Sequence, residues 1–585
     1  MTQPTDPADL PTTAPGDTDP GGTVSGHGGA QAVAAARAHG VTTLFTLSGA
    51  HVFPLYDAAV GGTDGVAAAD GDPRRAEREG ALRLVDVRHE QTAVFAAEGT
   101  AKLTRTPGFA VLTAGPGVTN GVSAITSAFF NASPLVVLGG RAPEGRWGSG
   151  ALQELDHPPL VAPVTKRAST LRDANAIASG VDEAFRAAAT PHRGPVFVDV
   201  PMDVLFTPGT SPAPTGAAGT GADPDADALD EVAELLAEAH HPVLILGGDV
   251  WMGGAEDQAR RLAEQAGIPV IANGMGRGIL PAGHPLLVTR ARSHALGQAD
   301  LVLVVGTPLD FRLGYGSFGG RDGAPPAKVV HLVDAPDQVA KHADLAASAA
   351  GDLRLLLDGL LSAFTDLVRR PSYAAWASDL RARADAATAA DAADLGSDAD
   401  PIHPARVYGE LVPRLAEDAV VIGDGGDFVS FAGKYVEPHR PGGWLDPGPY
   451  GCLGTGLGYA AAARLARPSS QVVLLLGDGA AGFSLMDVDT LVRHDLPVVM
   501  VVGNNSGWAL EKHPMRFLYG YDVIADLRPT AYDEVVRALG GAGETVTTPG
   551  EIGPALDRAF ASGVPYLVNV MTDPAIAYPR STTGV

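Results

Sequence analysis

Two short polar motifs carry the clearest potential for chemistry in this sequence. Gly477-Asp478-Gly479 directly follows an apolar run, and Asn504-Asn505 comes after a second one. If both runs are parallel strands, they end at one edge of a sheet, so the Asp478 carboxylate and the Asn505 amide can face one crevice. Mg²⁺ prefers hard oxygen ligands, and these two side chains with the Gly507 carbonyl would supply three.

The same corner can bind a diphosphate. Gly477 and Gly479, with Ala480 after them, let the backbone approach phosphate oxygens, and the start of the following helix favours anionic charge. A lone Gly-Asp-Gly would equally fit an ordinary strand–turn–helix corner, and the one at 423–425 has no Asn-Asn partner at the same distance. The paired motifs are more specific and predict a site for Mg²⁺ and a diphosphate.

These paired motifs resemble the signature of the thiamine diphosphate enzyme superfamily. The resemblance runs from His27-Gly28-Gly29 to the C-terminus. It implies a pyrimidine-binding, a central and a diphosphate-binding domain in this order, each a doubly wound α/β domain with a parallel sheet. It also implies thiamine diphosphate and Mg²⁺ as cofactors, and an active site between the first domain of one subunit and the third domain of another. The chain is therefore expected to form a homodimer or homotetramer.

The resemblance also assigns an activating acid. Arg88-His89-Glu90 matches the family's Arg-His-Glu segment, in which the glutamate hydrogen-bonds a nitrogen of the cofactor's pyrimidine ring. Alone, a glutamate here would equally be a helix N-terminal residue favoured by the helix dipole. Beside the diphosphate motif, we interpret Glu90 as catalytic. Leu453 aligns with the bulky apolar residue that holds thiamine in its bent form. The set expected to bind the cofactor is Gly49, Glu90, Gly115, Asn120, Gly425, Gly426, Asp427, Phe428, Leu453, Gly454, Gly477, Gly479 and Ala480.

The segments that should tell one reaction of the superfamily from another favour two different enzyme groups. Residues 147–156 and Lys166 resemble acetolactate synthases, but related segments occur in 2-hydroxyacyl-CoA lyases. Residues 507–514 have no tryptophan at the position of the one that shapes the second-substrate pocket of acetolactate synthases, and residues 291–300 resemble the lyase group. We therefore favour a 2-hydroxyacyl-CoA lyase, which releases formyl-CoA and a ketone or aldehyde. The alternative is an acetolactate synthase, which converts two pyruvates to 2-acetolactate and CO₂. A thiamine-binding regulator without catalysis is a third reading, and Glu90 argues against it.

The resemblance extends to residues outside the cofactor set. The substrate pocket is expected to contain Ala50, His51, Leu152, Gln153, Lys166, Trp508 and Leu510. A nucleotide, ADP or FAD, would contact Arg292, Ser293 and Asp334 in the central domain, since a guanidinium suits a phosphate. Glu511 is a candidate catalytic proton shuttle, and Gln153 is a second catalytic candidate. A solvated surface glutamate would fit the sequence around Glu511 equally well.

Three α/β units are needed to position these residues. Buried strands are expected at 82–87, 109–113, 134–138 and 195–200, at 242–246, 269–272, 301–305 and 329–333, and at 419–422, 471–476, 497–502 and 565–570, with helices such as 91–104 between them. The domains are then residues 26–206, 230–365 and 401–585, separated by linkers at 207–229 and 366–400. Residues 1–25 should be disordered, and residues 61–80 should form a surface loop.

Bulk composition excludes several other functions. The 585 residues are 45% hydrophobic and carry a formal net charge of −25, which disfavours nucleic acid and anionic membranes as partners. The single cysteine, Cys452, excludes an intramolecular disulfide. No apolar run is long enough to span a bilayer, and the N-terminus lacks the basic start and apolar core of a secretory signal. We therefore predict a cytoplasmic enzyme that acts on a small molecule.

Overall fold

The computed structural model describes residues 22–61, 81–217 and 219–579. Three parallel sheets follow one another along the chain, and helices flank each of them, which confirms the expected α/β fold. Within these described residues, no helix is both long and apolar enough to cross a lipid bilayer.

The first domain contains a six-stranded parallel sheet and a separate two-stranded antiparallel one. Its strands are β1 (Thr23–His27), β2 (Thr43–Thr46), β3 (Arg83–Asp86), β4 (Gly108–Leu112), β5 (Leu135–Arg141), β6 (Arg167–Thr170), β7 (Pro195–Pro201) and β8 (Pro208–Pro212). Its helices are α1 (Gly28–Ala38), α2 (Phe53–Ala59), α3 (Glu90–Thr104), α4 (Pro116–Phe130), α5 (His157–Val161), α6 (Ile177–Ala189) and α7 (Met202–Phe206). The parallel sheet has the order β3-β2-β4-β5-β7-β6, and β1 pairs with β8. Strands β4, β5 and β7 are buried along their whole length, as expected for a parallel sheet covered on both faces.

The central domain has five parallel strands in the order β10-β9-β11-β12-β13. They are β9 (Pro242–Leu246), β10 (Val270–Ala272), β11 (Leu301–Val305), β12 (Lys328–Val333) and β13 (Ala347–Ala350). Its helices, with those of the following connector, are α8 (Ala226–Glu238), α9 (Gly248–Met252), α10 (Glu256–Ala266), α11 (Arg292–Gln298), α12 (Leu353–Asp366), α13 (Ala374–Ala390) and α14 (Ala392–Leu395).

The third domain has six parallel strands in the order β15-β14-β16-β17-β19-β18. They are β14 (Val420–Asp424), β15 (Trp444–Leu445), β16 (Val472–Gly477), β17 (Val499–Asn504), β18 (Ala542–Val546) and β19 (Tyr566–Met571). Its helices are α15 (Pro404–Leu411), α16 (Asp427–Tyr435), α17 (Gly456–Ala466), α18 (Asp478–Ser484), α19 (Val488–Arg493), α20 (Ala509–Tyr519), α21 (Tyr532–Ala538) and α22 (Pro549–Ala561).

Each parallel sheet reverses its strand order at one point. The reversal lies between β2 and β4, between β9 and β11, and between β14 and β16. In doubly wound folds, ligands bind outside the carboxyl ends of the strands at such a reversal, because the two loops diverge and leave a crevice. The fold therefore offers three crevices, one in each domain.

The first and third domains share one hydrophobic core. Helix α3 packs along α17, with Phe95 edge-on to Tyr459 and both side chains fully buried. A Cβ at Gly458 would lie 2.7 Å from Phe95 Cβ, so the glycine permits this close approach. The two domains are consequently fixed relative to each other within the chain.

The expected boundaries were wrong in two places. Residues 23–25, expected to be disordered, belong to β1, and the expected linker at 207–229 contains β8 and the start of α8. Both errors have one cause: β1 and β8 are polar and gain their order from pairing with each other across the chain. The expected linker at 366–400 contains α13 and α14. Residues 1–21 and 62–80, which hold most of the expected disordered segment and surface loop, lie outside the described residues.

Candidate active site

Asp478 follows β16, which lies at the reversal point of the third sheet, and Asn505 follows the neighbouring strand β17. Strands β16 and β17 are hydrogen-bonded neighbours with Gly477 opposite Gly503, so the residues that follow them emerge together. Asp478 begins α18, and its Oδ2 accepts a hydrogen bond from the Gly507 amide at 3.0 Å. This arrangement is consistent with the prediction from the sequence that the Asp478 carboxylate and the Asn505 side-chain amide share one crevice.

The polar atoms here suit a cation. The Oδ1 atom of Asn505 is buried and has no hydrogen-bond partner among the described residues. Burial raises the pKa of the Asp478 carboxyl to about 6, against hydrogen bonds from Gly507 and Gly479 that lower it. An unpaired carbonyl oxygen and a buried carboxylate together form a hard-oxygen donor pair, the kind that Mg²⁺ prefers.

Glycines make room for a ligand beside this pair. A Cβ at Gly479 would lie 2.4 Å from the Trp508 ring, and one at Gly426 would lie 2.1 Å from Leu510 Cδ1. The resulting cavity of about 260 Å³ is lined by Gly425, Gly426, Asp427, Phe428, Gly451, Leu453, Gly477, Asp478, Gly479, Ala480, Gly503, Asn505, Gly507, Trp508, Ala509, Leu510 and Glu511. Nearly all the third-domain residues expected at the cofactor are therefore brought together, and the crevice suits a diphosphate at a helix start.

Asp424 is a site residue that the sequence did not reveal. It is fully buried at the end of β14, and its two carboxylate oxygens accept hydrogen bonds from the Gly454 amide at 3.1 Å and the Gly456 amide at 2.8 Å. Burial raises the pKa of Asp424 to about 7. The carboxylate thereby fixes the loop that carries Leu453. The Gly-Asp-Gly at 423–425 was visible, but its partners are backbone amides about 30 residues away, which leave no side-chain signal.

Glu90 belongs to the first domain and does not line this cavity. It is the first residue of α3, it is buried, and its Oε2 accepts a hydrogen bond from Asn120 Nδ2 at 3.0 Å. The neighbouring Gln91 donates to the Leu453 carbonyl at 3.4 Å. Glu90 and Asn120 are thus paired as a unit of their own.

The remaining first-domain candidates gather at the reversal between β2 and β4. His51 Nδ1 lies 3.1 Å from Thr113 Oγ1, and a Cβ at Gly49 would lie 2.3 Å from Thr113 Cβ. Gly115 has a φ of +59°, and a Cβ there would lie 2.8 Å from Gln153 Cβ. Burial lowers the pKa of His51. Ala50 begins the short helical turn that contains His51, and Leu152 is 77% exposed.

Lys166 lies apart from this group. It lines a second cavity of about 590 Å³ between the first and central domains, and its Nζ donates to the Thr190 carbonyl at 2.7 Å. Burial lowers the pKa of Lys166 to about 8. Its role in the substrate pocket stays a prediction; within a single chain Lys166 lies away from His51, because β6 is the edge strand of the sheet on the side opposite β2 and β4.

The second cavity lies at the reversal of the central sheet. Its lining includes Asp249 after β9, Thr307 after β11, and the basic residues His192, Arg193 and Arg312. His192 Nδ1 lies 2.8 Å from Asp334 Oδ1, and this hydrogen bond raises the pKa of His192 to about 8 against the effect of burial. Burial, with Asp334 nearby, raises the pKa of Asp249 to about 7. Cationic and acidic groups thus share one crevice.

Two of the expected nucleotide contacts are engaged elsewhere. Arg292 donates to the Arg312 carbonyl at 2.7 Å, and Ser293 Oγ accepts from Arg321 at 2.7 Å. Neither residue lines the cavity, where Arg312 stands instead. Asp334 remains beside it, paired with His192. The nucleotide contacts stay a prediction, and the guanidinium that lines this cavity is that of Arg312.

A third, smaller cavity of about 210 Å³ connects the other two. It shares Arg312 with the central crevice and Leu453 with the third-domain crevice. Asp446 and Gly448 form part of its wall. An extended ligand could therefore reach from the central domain to the Asp478–Asn505 crevice.

Glu511 lies in the first turn of α20 at the mouth of the third-domain cavity. Its side chain is exposed in the single chain. Its role as a proton shuttle stays a prediction.

The fold and site together define a three-domain α/β protein with a crevice in its last domain whose polar atoms suit a cation and a diphosphate. Known domain families match along the chain in the same order. Residues 27–160 match the N-terminal TPP binding domain of thiamine pyrophosphate enzymes, residues 229–360 the central domain, and residues 424–570 the C-terminal TPP binding domain. Thiamine pyrophosphate is another name for thiamine diphosphate.

Relatives that match most of the chain indicate the same class of enzymes. The chain is 50% identical over 570 residues to the acetolactate synthase large subunit IlvG of Mycobacterium tuberculosis, which covers 96% of this chain and 98% of that protein. It is 33% identical over 561 residues to the 2-hydroxyacyl-CoA lyase 2 of Homo sapiens, a match that covers 88% of this chain and 84% of that protein. The chain belongs to the family of thiamine pyrophosphate enzymes.

Proposed function

We propose that the protein is a thiamine diphosphate- and Mg²⁺-dependent carboligase of the acetolactate synthase type. Such an enzyme joins two 2-keto acids with loss of CO₂. The 50% identity to an acetolactate synthase large subunit, over 98% of that relative, carries the proposal. The lyase favoured by residues 291–300 and 507–514 has weaker support, since its relatives are 33% identical.

The third-domain crevice would hold the cofactor. Asp478, Asn505 and the Gly507 carbonyl would ligate Mg²⁺, and the backbone around Gly425 and Gly479 would cradle the diphosphate. When bound, thiamine diphosphate supplies a nucleophilic carbon and an electron sink beside a carbonyl. Trp508 and Leu510 would close the crevice from above and exclude water, because both pack against its glycines.

Glu90 would hold a proton at the pyrimidine ring of the cofactor. Its burial and its hydrogen bond from Asn120 keep the carboxyl in one orientation. The third-domain cavity is lined by third-domain residues alone, so Glu90 of the same chain does not complete it. We therefore infer that the working enzyme is a homodimer or homotetramer in which Glu90 of one chain serves the crevice of another.

Exposed apolar side chains support this assembly. Phe483 lies within helix α18 and Met486 just after it, and both are more than half exposed. Phe517 is exposed within α20, Ile524 is exposed after it, and Leu152 is exposed beside Gln153. Large apolar side chains that are exposed in a single chain are candidates for burial at an interface between chains.

The central crevice would hold a nucleotide. Arg312, Arg193 and Lys166 suit phosphate oxygens, and Asp334 suits a ribose hydroxyl. The connecting cavity at Arg312 and Leu453 favours FAD over ADP, because only the longer molecule would use the route toward the cofactor.

Product analysis tests the reaction. Wild-type protein with thiamine diphosphate and Mg²⁺ is incubated with ¹³C-labelled pyruvate or with a 2-hydroxyacyl-CoA, and products are followed by NMR and mass spectrometry. We expect 2-acetolactate and CO₂ from pyruvate. Formyl-CoA from the thioester, without 2-acetolactate from pyruvate, would overturn the proposal in favour of the lyase. Mass spectrometry of the denatured protein would report FAD or ADP in the same sample.

A further inference from the structure

A buried polar network joins β5, β7 and the start of α5 in the first domain. Arg141 is the last residue of β5, Asp199 lies in β7, and His157 begins α5. Arg141 NH1 lies 3.1 Å from Asp199 Oδ2, and His157 Nδ1 lies 2.9 Å from the same oxygen. Arg141 is only 2% exposed, and the other two are fully buried.

The network ends on the Gly115 turn. The Gly115 amide donates to His157 Nε2 at 3.0 Å, so this nitrogen must carry a lone pair. The His157 proton is then on Nδ1, where it donates to the Asp199 carboxylate. One chain of hydrogen bonds, from Arg141 through Asp199 and His157, therefore fixes the backbone at Gly115.

The same guanidinium holds both ends of the loop 147–156, which carries Gln153. Its carbon lies 3.8 Å from the Trp147 ring centre, and its NH1 lies 2.9 Å from Asp156 Oδ1. Inside the loop, Glu154 accepts from the Gly148 and Ala151 amides at 3.0 and 3.2 Å.

The loop needs such restraint. Gly148, Gly150 and Gln153 all have positive φ, of +80°, +76° and +60°. A positive φ at a residue with a side chain costs energy and persists only where the surroundings determine it. Gln153 also packs directly behind Gly115.

We propose that Arg141 is a positioning residue that fixes Gln153 and the Gly115 turn relative to each other, and thereby shapes the substrate-facing wall of the active site. The guanidinium contacts Trp147, Asp156 and Asp199 together. This inference rests on the proposed function only in assigning that wall to the substrate.

Three variants test it without leaving Asp199 facing an apolar side chain. Arg141→Lys keeps the charge but cannot reach Trp147 and Asp156 at once. Trp147→Leu and Asp156→Asn each release one end of the loop. Arg172→Lys is the matched control, because Arg172 is an exposed arginine of the same domain, 3.1 Å from Glu144.

Hydrogen exchange by mass spectrometry gives a readout that does not depend on turnover. In all three variants, we expect the amides of 147–156 to exchange at least about tenfold faster than in wild type, and in Arg141→Lys those around Gly115 as well. The control should match wild type. Unchanged exchange in 147–156 would overturn the proposal.

Kinetics then separate positioning from folding. With whichever of pyruvate and 2-hydroxyacyl-CoA wild type converts, KM should rise at least about fivefold in Arg141→Lys, while the Kd for thiamine diphosphate stays within about twofold. Altered exchange with unchanged KM would overturn the role at the substrate wall. A wild type that converts the thioester alone would refute the proposed carboligase but leave both measurements interpretable.

Discussion

Asp478 and Asn505 illustrate how two side chains become a site through the strands that carry them. Neither is unusual alone, but adjacent strands place them at one crevice, and Asn505 Oδ1 is left buried without a partner among the described residues. A buried unsatisfied oxygen carries a desolvation penalty of about 1–3 kcal/mol. A bound cation would relieve that penalty, which gives the apoprotein a physical reason to bind metal.

The metal assignment predicts a severe loss of cofactor affinity in Asp478→Ala. Removing the carboxylate leaves Asn505 as the only side-chain ligand, so excess Mg²⁺ should not restore binding in a calorimetric titration. Asp557→Ala, which removes an exposed carboxylate of the same domain, is the control. Wild-type affinity in Asp478→Ala would refute the assignment.

Glu90 gives a different prediction, because its proposed task is proton transfer and not binding. Glu90→Gln retains the shape and a hydrogen bond to Asn120 but cannot exchange a proton. We expect thiamine diphosphate to bind with turnover reduced by about 10²–10⁴-fold, the usual contribution of a general acid–base group. Turnover close to wild type would remove Glu90 from the catalytic residues.

At the scale of elements, helix α18 provides a matched pair of glycines. A Cβ at Gly479 would meet the Trp508 ring, whereas one at Gly482 would have no heavy atom within 4 Å. Overpacking costs about 1–3 kcal/mol. Gly479→Ala should therefore displace Trp508 and weaken thiamine diphosphate binding by at least about tenfold, while Gly482→Ala should bind normally. Equal affinities in the two variants would show that the Gly479–Trp508 contact does not shape the crevice.

The raised pKa of Asp424 predicts that the free energy of unfolding depends on pH. Burial raises the pKa of this carboxyl to about 7, so the folded state keeps a proton that the unfolded state releases near pH 4. The wild type should therefore lose stability relative to Asp424→Asn as the pH rises from about 4 to about 7, by up to about 1.4 kcal/mol per pH unit. Urea denaturation at several pH values measures the difference, and parallel curves would contradict it.

Elements were predictable where one stretch of sequence contains its own signal. The long apolar runs predicted twelve of the strands to within a few residues, for example Pro242–Leu246 and Leu301–Val305. Short or polar strands such as Ala347–Ala350 and Ala542–Val546 were missed, because neighbours in the sheet order them and their own residues do not. The same distinction explains the sites. Glu90 and Asp478 stand in local motifs, whereas the amides that Asp424 binds and the other walls of the crevice that Arg312 lines are brought near only by the fold.

At the scale of the whole molecule, one rule places all three crevices. In each sheet a residue of the described crevice follows a strand at the reversal of the strand order: His51 follows β2, Asp249 follows β9 and Asp478 follows β16. The central and third crevices are joined through a cavity within the chain. Glu90 stands outside the third-domain cavity, which is why the complete site is proposed to need a second chain.

The proposal that Glu90 of one chain acts on the Asp478–Asn505 crevice of another is tested most directly by mixing two inactive variants. Glu90→Gln and Asp478→Ala chains are unfolded, mixed in equal amounts and refolded, and turnover is compared with wild type treated in the same way. In a mixed dimer one site carries both substitutions and the other carries neither. Since half of the dimers are mixed, the predicted activity is about one quarter of wild type. Turnover no higher than that of the separate variants would contradict an active site shared between chains.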